Sequence, residues 1–132
     1  MKLEILESHY AVCKLPFDRS APAVVPGWAS GQLVSFSVTD NECSLVVSEE
    51  CLASEIELEP DFECVKGWRA FRIAGQLDFD MVGVIAKISD TLARAQIPIF
   101  VVSTYQTDYV LVASDKFKLA KQVLESTGYQ FD

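Results

Sequence analysis

The stretch from Leu77 to Ala113 constrains the fold of this chain more than any other part. Its first half carries apolar residues at intervals of four and three: Met81, Ile85, Ile88, Leu92 and Ala95. That spacing places them on one stripe of an α-helix and predicts an amphipathic helix with one buried face. Two apolar segments follow, 97–103 and 108–113, with polar residues 104–107 between them. They predict two strands joined by a turn.

Two aspartates mark the expected start of this helix. Asp78 and Asp80 precede the apolar stripe, and a carboxylate there accepts hydrogen bonds from unpaired backbone N–H groups. The positive end of the helix dipole also favours negative charge at this position. The sequence therefore predicts that the helix starts within Phe79–Gly83.

The flanking segments complete a familiar order of elements. Trp68–Ala74 alternates loosely as a strand, and Asp115 is predicted to cap a second helix over Lys116–Thr127. Gly128 suits the position after that helix, and Tyr129–Phe131 is long enough for a last edge strand. The order β-α-β-β-α-β is that of a ferredoxin-like unit, in which helices cover one face of a four-stranded antiparallel sheet.

The N-terminal half predicts a degenerate copy of the same unit. Strands are expected at 2–7, 10–15, 33–39, 42–47 and 62–65, with a short helix within 49–54. Between the second and third strands, three prolines and two glycines exclude a long helix, and the apolar residues of this segment are expected to pack over the core. A shift of 66 positions aligns Phe36-Ser37 with Val102-Ser103 and Leu45-Val46 with Leu111-Val112. We therefore expect an α+β chain with two ferredoxin-like subdomains, 1–61 and 62–132, divided near the acidic segment Ile56–Asp61.

Charge and hydropathy restrict the functions that such a chain can have. The formal charge of −8 argues against nucleic-acid binding and against an anionic membrane surface, since both require clustered Lys and Arg. No basic segment precedes a short apolar one, and no apolar run reaches about 18 residues. The sequence thus predicts a cytoplasmic protein that binds neither nucleic acid nor membrane.

The four cysteines give little support to catalysis or metal binding. Cys13, Cys43, Cys51 and Cys64 form no CxxC pair and lie in or beside apolar runs, so we expect small buried hydrophobic residues. His9 is the single histidine, and on a strand it would lie about 13 Å from Cys13, beyond proton-transfer distance. The sequence predicts no catalytic residue, no metal site, no cofactor and no enzymatic activity.

The segments 77–79, 82–85, 97–100 and 103–109 carry a resemblance to a known family. The string GQLDFDMVGVIAKISDTLARAQIPIFVVSTYQTDYVLV resembles the ACT-domain superfamily. It is most similar to small bacterial tandem ACT proteins whose C-terminal half is like the ACT domains of aspartate kinase and of the cytosolic arginine sensors. In the N-terminal half, Pro26-Gly27-Trp28 and Asn41–Val46 carry a weaker likeness. The resemblance implies a regulatory fold that binds a small ligand, commonly an amino acid, between paired domains.

The candidate binding residues combine this resemblance with the chemistry of a free amino acid. Its carboxylate suits the unpaired N–H groups of a helix start, and Gly83, which lacks a Cβ, allows close approach to the backbone. Its ammonium suits Asp108, whereas Asp80 either adds to that negative pole or caps the helix. The resemblance adds residues of the turn between the two strands. The predicted ligand-binding residues are Asp80, Val82, Gly83, Ser103, Thr104, Thr107 and Asp108.

Ordinary structural roles remain open for all of these residues, as helix caps, turn formers or strand ends. The acidic residues favour a ligand with a cationic end, such as a basic amino acid. The sequence also leaves a second function open, that of a protein–protein assembly module without a small ligand, because ferredoxin-like sheets pair readily at their edges. A homodimer is expected in either case.

Overall fold

The computed structural model describes residues 1–75 and 81–132 and has an α+β architecture. The strands are β1 (Lys2–Ile5), β2 (Tyr10–Leu15), β3 (Ser35–Val38), β4 (Cys43–Ser48), β5 (Glu63–Ile73), β6 (Phe100–Ser103), β7 (Asp108–Ala113) and β8 (Gln130–Phe131). The helices are α1 (Ser54–Glu57), α2 (Val84–Arg94) and α3 (Ser114–Ser126), with a 3-10 turn at Glu49–Cys51.

The chain forms two compact units. One combines residues 1–7 with 68–132 and is called the split unit; the other is residues 8–67 and is called the continuous unit. The compact units are thus divided differently from the predicted halves 1–61 and 62–132. The difference arises because β1 pairs with β5 and β8, so the first strand of the chain lies in the split unit.

The split unit has the predicted order of elements, β5-α2-β6-β7-α3-β8, with one addition. Its strands lie in the order β6-β7-β5-β1-β8. The expected four-stranded antiparallel sheet is corrected to five strands, because β1 lies between β5 and β8. Leu3 of β1 pairs with Ile73 in antiparallel register and with Phe131 in parallel register.

The core of the split unit lies between one face of this sheet and both long helices. Alternate residues of β5 and β7 contribute Phe71, Ile73, Val110 and Val112, since successive strand residues point to opposite faces. The helices contribute residues four positions apart: Ile88 and Leu92 from α2, Ala120 and Leu124 from α3. Each of these eight side chains is 0% exposed, which confirms helices on one face of the sheet.

Helix and strand ends differ from the prediction where local chemistry decides them. Asp115 was expected to cap α3, but Ala113 is the N-cap and makes no side-chain capping bond, so Asp115 lies in the first turn. The strand predicted from Ile97 begins at Phe100, since Pro98 has no N–H to donate to a neighbouring strand. Gly128 has φ 102° directly after the C-cap, as predicted for the end of this helix.

The continuous unit has strand order β3-β4-β2-β5. Apart from the inserted β1, this is the order of the corresponding strands in the split unit, which agrees with two ferredoxin-like subdomains. No helix lies between β2 and β3, as the prolines predicted. Phe17 and Trp28 of this segment pack against the core, but Val24 and Val25 are 75% and 45% exposed, so their predicted packing was wrong.

β5 is a single strand, although the sequence predicted two, at 62–65 and 68–74. Gly67 lies inside it with φ 84°, a backbone conformation that glycine adopts without steric cost. The N–H of Gly67 donates to the Glu49 carboxylate at 2.7 Å. Gly67, which lies between the two predicted strands, is therefore accommodated inside a single strand.

Candidate functional site

Gly83 sets the start of α2. It is the N-cap residue, with φ 81° and no side-chain capping bond, and the helix begins at Val84. The predicted helix start within Phe79–Gly83 was therefore too early, and Met81 lies before the helix, 45% exposed, instead of on its buried stripe. The first backbone bond of the helix runs from the Lys87 N–H to the Gly83 carbonyl. The backbone N–H groups that come before Lys87, in the first turn of α2, belong to the set that a helix leaves without intrahelical partners.

The turn between β6 and β7 is fixed by its own hydroxyl groups. Ser103 donates to the Asp108 carboxylate at 2.5 Å, and Thr104 donates to the Thr107 carbonyl at 3.1 Å. The buried Thr107 hydroxyl donates to the Ile73 carbonyl at 2.7 Å. This last bond ties the turn to the end of β5, 34 residues earlier in the chain. The turn is thus held in one conformation from within and from β5.

A cavity of about 430 Å³ lies between the start of α2 and this turn. We call it the turn cavity. Its lining includes Gly83 with the first helical residues Val84, Ile85 and Ala86, and the turn residues 103–108. Five of the predicted binding residues line it: Gly83, Ser103, Thr104, Thr107 and Asp108. The volume is within the range of small-molecule sites, about 300–1,000 Å³.

Val82, which was also predicted, is not in this lining. Val82 is 91% exposed and lines a neighbouring cavity. Asp80 lies outside the described residues. Residues 84–86 line the turn cavity but were not predicted as binding residues, because the sequence placed the helix start too early. Tyr105 and Gln106 also line it. Their position in the predicted turn could have identified them as lining residues.

The turn cavity has two poles of opposite character. One is the first turn of α2, where backbone amides and the helix dipole give a partial positive charge. The other is Asp108, the one charged side chain among the described lining residues. Because Ser103 donates to one carboxylate oxygen of Asp108, the other oxygen has lone pairs available for a donor. The arrangement suits a small molecule that carries an anionic and a cationic group.

The cysteines lie in the continuous unit and have the properties of core residues. Cys13 and Cys43 are buried, and Cys51 and Cys64 pack at the edge of the same core. Burial raises the pKa of the Cys13 thiol to about 12. The pKa of the Cys64 thiol is also raised, mainly by burial and to a smaller extent by the nearby Glu57 carboxylate. These thiols are protonated at neutral pH, and a protonated thiol is a poor nucleophile.

The raised pKa of Cys13 predicts a loss of stability in alkali. The thiol is protonated in both states below its ordinary pKa of 9.0; above it, ionisation favours the unfolded chain until the folded-state value of about 12 is passed. We expect the free energy of unfolding to fall by on the order of 1 kcal/mol per pH unit in this window. Urea denaturation from pH 8 to 11 measures it, with Cys13→Ala as the comparison. If the free energy of unfolding falls equally steeply with pH in wild type and in Cys13→Ala, the assignment to Cys13 is contradicted.

Metal-ligand clusters and membrane-spanning helices are two features that often reveal a function. The described residues contain no group of three or more His, Cys, Asp or Glu side chains placed to hold one metal ion. Within residues 1–75 and 81–132, no helix is both long and apolar enough to cross a membrane.

Comparison with known proteins gives consistent results. Residues 63–126 match the model of the family described as ACT domain. A curated relative, the cytosolic arginine sensor for mTORC1 subunit 1 of Bos taurus, is 31% identical over 112 residues, 81% of this chain and 33% of that protein. The chain therefore spans about one third of the length of this relative.

Solved structures extend the likeness to nearly the whole chain. Protein Atu0741 from Agrobacterium tumefaciens has a TM-score of 0.82 and 30% identity, covering 99% of this chain and 91% of that one. The ligand-free regulatory subunit of aspartate kinase from Thermus thermophilus has a TM-score of 0.66 and 12% identity, covering 92% of this chain and 93% of that one. At that identity the second likeness concerns the fold alone.

Proposed function

We propose that this chain, whose residues 63–126 match the ACT domain family, is a regulatory module that binds a free amino acid in the turn cavity. The binding residues of this proposal are Gly83, Ser103, Thr104, Thr107 and Asp108, with the backbone amides of the first turn of α2. Thr107 acts by holding the turn, since its hydroxyl already donates to Ile73. The site is proposed to work in the cytoplasm and without a cofactor.

One observation carries this proposal: a single cavity brings together the start of α2 and the Asp108 carboxylate. A free amino acid has an α-carboxylate and an α-ammonium on the same carbon. The carboxylate would accept hydrogen bonds from the N-terminal amides of α2. Gly83 has no side chain that could block the approach of the ligand to these amides. The ammonium would donate to Asp108, a charge-assisted bond that is stronger than a neutral one.

One relative supports the ligand class by its name. It is a cytosolic arginine sensor, and that name concerns the sensing of an amino acid. Because this relative is an arginine sensor, we propose a basic amino acid as the preferred ligand.

The replacement Asp108→Asn tests the proposal. Asparagine keeps an oxygen that accepts from Ser103 but removes the negative charge opposite the ligand ammonium. A hydrogen bond to a charged group contributes about 1.5–3 kcal/mol, so we expect the dissociation constant to rise about 10- to 100-fold. Isothermal titration calorimetry of each proteinogenic amino acid against wild type and variant measures this change.

Asp115→Asn is the matched control, because Asp115 is exposed in the first turn of α3 and does not line the turn cavity. It should bind the same amino acid with wild-type affinity. If no amino acid binds the folded wild-type protein, or if both variants bind equally well, the proposal fails.

The edge strand β6 favours a second candidate function, an assembly module without a small ligand. Among the described strands β6 pairs with β7 alone, and Phe100 and Val101 on it are each 37% exposed. An exposed edge of this kind can pair with another chain. We propose that a homodimer forms there in either case. Light scattering therefore tests the dimer, and calorimetric titration with amino acids separates the two functions.

A further inference from the structure

A second cavity shares Met81, Gly83 and Val84 with the turn cavity, but it extends from the α2 start to the segment after α3 instead of to the turn between β6 and β7. It has a volume of about 340 Å³, and we call it the Lys87 cavity. Its lining reaches Lys87 on α2, Val82 before that helix, and Thr127, Gly128 and Tyr129 after α3. The proposed amino-acid site uses neither Lys87 nor the segment after α3.

Backbone hydrogen bonds fix the wall formed by the end of α3. The Tyr129 N–H donates to the Leu124 carbonyl at 3.2 Å, and the Gly128 N–H donates to the Glu125 carbonyl at 3.1 Å. This is the Schellman arrangement, which ends a helix with a residue of positive φ, here Gly128 at 102°. The wall is therefore held in place before any ligand arrives.

The opposite wall is apolar and faces water. Met81 is 45% exposed and Val82 is 91% exposed, and both line the cavity. When another apolar group covers adjacent apolar side chains, their surface is removed from water, which lowers the free energy. The cavity thus offers a surface for the apolar body of a small ligand.

The polar groups of the Lys87 cavity favour an anion. Lys87 is the one charged side chain among its described lining residues, and no ion pair joins it to a described carboxylate. Burial raises the pKa of the Tyr129 phenol, so its hydroxyl keeps the proton that it can donate. The Thr127 hydroxyl donates its proton to the Leu124 carbonyl at 2.9 Å and adds no positive charge.

We propose that the Lys87 cavity is a second binding site, for a small carboxylate with a compact branched apolar body. The carboxylate pairs with the Lys87 ammonium, and the apolar body covers Met81 and Val82. The volume is near the lower end of ligand sites, which excludes large ligands. One lysine and apolar walls suit a single carboxylate better than a phosphate, which several basic groups usually hold.

Isovalerate and its neutral amide, isovaleramide, are the probes. They share the branched body and differ in charge, so we expect saturable binding of isovalerate and at least about threefold weaker binding of the amide, the scale of an exposed ion pair. Amide chemical shifts from NMR locate the site: Gly128 and Tyr129 should shift, whereas Thr104 and Thr107 should not. No binding of isovalerate, or equal binding of both probes, would overturn the proposal.

Matched lysine variants complete the test. Lys87→Met should weaken isovalerate binding about three- to fivefold and leave isovaleramide unaffected. Lys118→Met, an exposed position on α3 outside the lining, should change neither. Asp108→Asn should also leave isovalerate binding unchanged, because Asp108 lines the turn cavity only. Loss of isovalerate binding in Asp108→Asn, with Lys87→Met unaffected, would assign the probe to the turn cavity and overturn the proposal.

Discussion

Leu124→Ala should lower the free energy of unfolding by about 2–5 kcal/mol. Leu124 on α3 is 0% exposed in the core of the split unit. Removing its isobutyl group loses apolar burial and leaves a cavity that the neighbouring β5, β7 and α2 side chains fill only in part. Urea denaturation monitored by circular dichroism measures the change. The dependence of the free energy of unfolding on urea concentration should be compared between wild type and variant.

The control for this prediction lies on the same helix. Leu119 is 40% exposed, so Leu119→Ala makes the same chemical change at a much less buried position and should destabilise the protein by no more than about 1 kcal/mol. Alanine also has the highest helix propensity, which offsets part of the lost contact. Equal destabilisation by both replacements would contradict the core described for the split unit.

Thr107→Val should destabilise the protein by about 1–3 kcal/mol and weaken amino-acid binding in the turn cavity. Valine keeps the shape of threonine, but it removes the hydroxyl that donates to the Ile73 carbonyl at 2.7 Å. Thr107 is 3% exposed, so water cannot easily replace the lost donor, and an unsatisfied buried acceptor costs about that amount. The adjacent Asp108 then loses part of its positioning.

Two measurements separate the effects on stability and on binding. Urea denaturation gives the first, and calorimetric titration at a temperature where the variant is fully folded gives the second. Thr91→Val is the control, since the Thr91 hydroxyl donates to the Lys87 carbonyl within α2 and lies outside the turn cavity. Wild-type stability of Thr107→Val would show that the bond to Ile73 does not hold the turn.

Local periodicity was enough to predict several elements. β2 and β7 have the predicted bounds, 10–15 and 108–113, because alternating or continuous apolar runs end at turn residues there. Two of the residues on the apolar stripe of α2, Ile88 and Leu92, are fully buried. The start of that helix was misplaced because Met81 fits the helical spacing, whereas the positive φ of Gly83 cannot be read from spacing.

Features that depend on distant segments were not predictable in the same way. The insertion of β1 between β5 and β8 joins the first and last strands of the chain, and no local pattern encodes such a pairing. The role of Thr107 depends on Ile73, 34 residues away. The Lys87 cavity was not predicted at all, because its lining combines segments around positions 81–87 and 127–129 that have no shared sequence pattern.

The split of one unit around the other has a consequence for the order of folding during synthesis. Residues 8–67 form a continuous stretch, so this unit is complete as soon as it leaves the ribosome. β1 is made before its partners β5 and β8, and the whole continuous unit lies between β1 and β8 along the chain. Because domains fold as units as synthesis proceeds, the continuous unit can fold while β1 still lacks β8. The split unit closes only once β8 has been made.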